Sequence, residues 1–188
     1  MTLEAAFEHL VEALDSALKD PFTYLQRFIE DSATQRAAQK QDENKLVDNY
    51  EENVTSIIGD LAEAKLAASA GLAASKSDNF KVAKTQLIRA HGLLLDVFDH
   101  FNTAISEHKV LNCLEEQLKP AQWRKWVCSI KDSLPHCAKA LRAVSNALLE
   151  CWTALPVGVG SGTGPGTGDT GPSNHPVTSA SVIGGMFF

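Results

Sequence analysis

Histidine and cysteine are the residues whose spacing could most readily announce a metal, a proton relay or a nucleophile. At about 100° per residue of helix, His91 falls between Leu87, Leu94 and Phe98, on a stripe that should be buried. A metal site in a helical bundle needs Glu-x-x-His pairs, because that spacing aims both ligands inward together. The chain has no such pair. His91 therefore reads as a neutral core histidine bonded to a carbonyl or hydroxyl. Asp96 and His100, four residues apart, could form an ion pair or offer two metal ligands. Their face lies about 140° to 180° from His91, so the same stripe turns them to solvent as a surface pair.

Cys113, Cys128, Cys137 and Cys151 contain no Cys-x-x-Cys motif, and free thiols are expected. Cys137 and Cys151 fall on an apolar stripe, where cysteine behaves as a small hydrophobe. His136 and Cys137 are adjacent, and a helix points adjacent side chains about 100° apart. Gly158, Gly160, Gly162 and Gly164 alternate with other residues, but no strand precedes them and no lysine follows as a phosphate loop requires. Neither Gly-x-Ser-x-Gly nor His-Glu-x-x-His occurs. The expectation is a protein with no catalytic residues, no metal and no cofactor, and hence not an enzyme.

The elements that would position these residues are helical from 1 to 155, where apolar positions recur at helical spacing and Gly and Pro are sparse. A first stripe runs through Leu3, Phe7, Leu10, Val11, Leu14 and Leu18. Asp20-Pro21 supplies a cap and a first-turn proline, restarting the helix with Phe22, Leu25, Phe28 and Ile29. Leu46, Tyr50, Val54, Ile57, Ile58, Leu61 and Leu72 mark a long helix whose later turns are crowded with alanine, inviting close approach of a neighbour. Ser75 to Asn79 interrupts the pattern with cap-forming residues; Phe80, Ala83, Leu87, Leu94, Phe98, Phe101 and Ile105 rebuild it. Pro120 opens the last rod, Pro135 punctuates it, and Cys137, Leu141, Val144, Leu148, Cys151 and Leu155 complete its stripe.

Counting prolines as kinks leaves rods at about 2–40, 43–75, 79–118 and 120–155. Similar lengths and short connections imply an all-α fold: an elongated antiparallel four-helix bundle with proline-kinked first and last rods. A continuous helix from Pro21 to Ser75, giving three extended rods, is the alternative, because Glu30 to Lys45 lacks both Gly and Pro.

With 17 Lys and Arg against 23 Asp and Glu, the net charge of −6 gives no broad positive field for nucleic acid. Leu93-Leu94-Leu95 is the longest aliphatic run, far below the roughly 20 apolar residues of a membrane span. The first residues carry no basic and apolar secretory pattern, and a cytoplasmic location is expected. Charge is unevenly placed. Residues 1–55 hold twelve acids and five bases, whereas 119–142 hold six bases and only Asp132. The simplest expectation is that the basic last rod pairs with the acidic first one. The functional alternative makes Trp123, Arg124, Lys125 and Lys131 a docking surface, since aromatic and Arg residues are over-represented at interface hot spots.

Residues 156–188 contain nine of the twelve glycines and four of the seven prolines. That composition predicts a disordered Gly/Ser/Thr/Pro-rich tail, with a flexible linker over 156–181. It leads to an apolar segment over 182–188, in which Val182, Ile183, Met186, Phe187 and Phe188 are candidate partner-binding residues. Strand addition, capture of a terminal carboxylate and self-pairing into a homo-oligomer are the modes open to it. The expected function is an interaction or scaffold protein, an adaptor that tethers this peptide for a protein partner; a self-assembling or membrane-perturbing helical effector is the alternative.

Overall fold

A computed structural model of the chain describes residues 1–27, 41–113 and 121–156, with side chains for 1–27, 48–107 and 131–156. Four helices carry the fold: α1 (Leu3–Ala17), α2 (Gln41–Lys76), α3 (Phe80–Cys113) and α4 (Ala121–Ala154). Among the described residues there is no strand, and no helix is long and apolar enough to cross a membrane.

The stripes become one core. Phe7, Leu10 and Leu14 of α1, Ile57 and Leu61 of α2, Leu87 and Leu94 of α3, and Leu141 and Val144 of α4 are all buried in it. Packing follows chain order and closes on itself: α1 lies on α2, α2 on α3, α3 on α4 and α4 on α1. Consecutive helices run antiparallel. Lys76 at the end of α2 reaches Glu8 at the start of α1, while Lys65 reaches Asp15 near that helix's end. Glu63 of α2 faces Arg89 of α3, and Asn53 faces Glu107. The arrangement is the four-rod bundle rather than the three-rod alternative.

Local chemistry explains each boundary. The Thr2 side chain accepts from the Ala5 N–H and so caps α1. At the α2–α3 turn Asp78 takes a left-handed φ of 56°, the Asn79 N–H returns to the Ala74 carbonyl, and the Asn79 side chain accepts from the Val82 N–H. Small residues in α2 permit the expected close approach: a Cβ added at Gly71 would collide with the Phe7 ring. Ala64 and Ala68 are buried alongside.

The first rod kinks where Asp20 precedes Pro21. Asp20 is extended (φ −166°, ψ 117°), and a π-helical turn, Leu18–Phe22, joins α1 to helical residues 23–27. Pro135 lies within α4, which remains one helix on both sides of it. Proline forfeits one backbone hydrogen bond there. The tail expected over 156–181 and its apolar segment 182–188 lie, apart from Pro156, outside the described residues.

Candidate functional site

The Asp20-Pro21 kink has a consequence beyond ending α1. It turns Phe22 into the core, edge-on to Phe101 at 6.1 Å, and leaves Tyr24 exposed two residues later. Between this turn and α4 runs an open groove of about 500 Å³. Asp20, Pro21 and Tyr24 form one wall; Ser133, His136, Lys139, Ala140 and Ala143 form the other. Small alanines leave the space, Tyr24 offers an aromatic flank, and His136 and Lys139 offer donors to an acidic group. Cys137 adjoins the groove in sequence but is fully buried, and burial pushes its thiol up to about 12. A thiol so protonated is no nucleophile. Cys151 is likewise buried, its thiol also raised to about 12 by desolvation.

Electrostatics make the α4 edge distinctive. The acids of α1 are engaged chiefly by lysines other than those of α4. Asp15 bonds Lys19 and Lys65, which hold its carboxyl below the usual range, while Glu4 and Glu8 meet Lys76 at 3.6 and 3.1 Å. Between α1 and α4, His9 and Glu150 approach to 2.7 Å. Among the described residues, the ion pairs of Glu4, Glu8 and Asp15 are thus with Lys19, Lys65 and Lys76. Lys131 and Lys139 are exposed and make no ion pair there.

His91 is half-buried at the α3–α4 seam rather than enclosed between Leu87, Leu94 and Phe98. Its ring meets Trp152 edge-on at 5.9 Å, in place of the expected bond to a carbonyl or hydroxyl, and desolvation lowers its pKa. The Trp152 indole N–H is buried beside it with no acceptor among the described residues. His100 also departs from the surface pairing with Asp96. It is half-buried against α2, with Nδ1 3.1 Å from Oδ1 of Asn53, whose amide nitrogen donates to Glu107 at 3.0 Å and to the Asn49 carbonyl at 2.9 Å. Burial raises the carboxyl pKa of Asp60 and Glu107 on this seam. Among the described residues no three His, Cys, Asp or Glu side chains converge as a metal site.

Of the docking candidates read from sequence, Lys131 is exposed on α4. Trp123, Arg124 and Lys125 lie in the first turns of the same helix, with side chains outside the described residues. Val182, Ile183, Met186, Phe187 and Phe188 also lie outside them. Sequence reasoning missed the groove, although its signal was present: a proline kink facing Ala140 and Ala143 must leave room. It also missed an apolar strip at the α3–α4 seam, where Ile88 is 55%, Leu95 45% and Leu149 50% exposed. Leu93, Leu94 and Leu95 could have warned of it, since three consecutive helical residues cannot share one buried face. Compared with known proteins, the chain matches no family model, no curated protein and no solved structure.

Proposed function

We propose that the chain is a non-enzymatic interaction or scaffold protein, a helical bundle that receives an acidic protein segment along α4 and tethers the apolar peptide Val182–Phe188. The observation that supports this most is the pair of exposed lysines on α4, Lys131 and Lys139, neither of which makes an ion pair among the described residues. Lys131 and Lys139 stand about 12 Å apart along the helix, and Lys139 lines the groove beside Tyr24 and His136. Exposed charge of one sign steers an oppositely charged partner, and a neighbouring groove supplies the shape that gives selectivity. A cytoplasmic setting accords with the free thiols Cys137 and Cys151.

The test compares proteins recovered by the full chain and by its Lys131→Glu, Lys139→Glu double variant. The variant should recover an acidic partner at least about tenfold less, with the remaining binding less sensitive to salt. Equal recovery at equal folded fraction would remove the basic edge from the reading. The effector alternative draws on the exposed strip of Ile88, Leu95 and Leu149. Leakage of dye from anionic vesicles on addition of the full chain would favour it.

A further inference from the structure

Ile88, Gly92 and Leu95 recur at i, i+4 and i+7 on the outer side of α3, facing the α4 seam. Nothing lies within 4 Å of a Cβ built at Gly92, so a shallow trough separates two apolar side chains about 10 Å apart along the helix. Leu149 stands on the opposing helix, and Trp152, in edge contact with His91, joins the two sides. The α3–α4 packing is sparse compared with that between α2 and α3. The seam thus offers apolar surface and, in the Trp152 indole, a buried donor without an acceptor among the described residues.

We propose that the chain's own segment Val182–Phe188 docks on this strip, its apolar side chains covering Ile88, Leu95 and Leu149 beside Trp152. Location and reach favour this occupant. α4 ends at Ala154, half a turn past Trp152, so the chain leaves the bundle beside the strip. Val157 to Ser181 spans 25 residues. A Gly-rich tether of that length has a root-mean-square reach of about 25–30 Å, more than the one or two helical turns to Leu95, and holds the segment locally at about millimolar concentration. Chemistry favours it too. The side chains of the segment are all uncharged and five of the seven residues are apolar, matching the apolar strip, and Gly184 and Gly185 let its backbone approach closely. Docked, the peptide is withheld from a partner until that partner competes for it, which makes the strip an intramolecular regulator of the proposed tether.

The proposal builds on the tethered-peptide reading, but its test needs no partner and therefore fails or succeeds separately. Amide and indole spectra of the full chain are compared with those of its Phe187→Asp, Phe188→Asp variant. Expected are shifts at Ile88, Gly92, Leu95 and Leu149 and at the Trp152 indole, unchanged on dilution. In the reciprocal full-chain variant Leu95→Asp, whose site is exposed, signals of 182–185, distant from the substituted positions, should move to the same positions as in the tail variant. Unperturbed strip resonances would overturn the proposal, as would shifts centred on His136 and Lys139. Shifts that disappear on dilution would also overturn it, by assigning the strip to a second copy.

Discussion

At the scale of single residues, one turn of α3 separates core from surface. Leu87 is fully buried whereas its neighbour Ile88 is 55% exposed. Leu87→Ala should cost about 2–5 kcal/mol through lost burial and a residual cavity, and Ile88→Ala should stay within about 0.5 kcal/mol, both read from chemical unfolding. A similar loss at both positions would put the wrong face inside. Gly71 is constrained from the other direction. The Phe7 ring that a new Cβ would strike is itself fully buried, so Gly71→Ala should destabilise by about 1–3 kcal/mol despite its better helix propensity. His91 sets a pH dependence. Desolvation lowers its pKa, so the folded state prefers the neutral ring. The stability it contributes is complete above its unfolded value near 6.5 and is lost as pH falls from there through the folded value. Thermal unfolding of His91→Gln between pH 7.5 and 5.5 should show a shallower loss than the parent; an unchanged slope would place the titration elsewhere.

At the scale of elements, the turns are written in local chemistry. Ser75 to Asn79 announces the α2–α3 reversal, and the folded turn uses these residues as expected: Asn79 caps α3 through the Val82 N–H, while Asp78 adopts the left-handed φ. Asn79→Ala should cost about 0.5–2 kcal/mol, measured as a fall in the unfolding midpoint with an unchanged denaturant slope. A null effect would mean that another group caps the helix. The Asp20-Pro21 break was equally legible, because proline removes a donor and restricts its predecessor. Where the restarted helix would point was not. Its direction is set by the long-range insertion of Phe22 beside Phe101, and that insertion leaves Tyr24 at the groove.

At the scale of the whole molecule, charge is partitioned between seams. Lysines 65 and 76 of α2 engage acids of α1, while Lys131 and Lys139 of α4 are exposed and make no ion pair among the described residues. Reversing Lys131 and Lys139 to Glu should leave stability within about 0.5 kcal/mol while altering association, since neither side chain is buried or ion-paired among the described residues. A large stability loss would make them structural. The α2–α3 seam behaves oppositely. Burial there raises the Asp60 carboxyl, so its charged form opposes folding at neutral pH, and Asp60→Asn should raise the melting temperature at pH 7 but not at pH 3.

Periodicity and punctuation by themselves determined the helical class, the four stripes, the burial of Leu87, Cys137 and Cys151, and the turn at Ser75–Asn79. These depend on interactions within a few residues, whose geometry a helix prescribes. Only tertiary structure decided which helices became neighbours, and with that which charges were neutralised and which apolar residues stayed uncovered. His91 shows the limit. Its helical angle placed it near the stripe, but the sparse α3–α4 packing left it half-buried against Trp152. His100 was turned outward by the same angular reasoning, yet α2 brought Asn53 to it. A face's angle is local information, whereas what covers that face comes from chain segments 47 to 61 residues away, as His100 with Asn53 and His91 with Trp152 demonstrate.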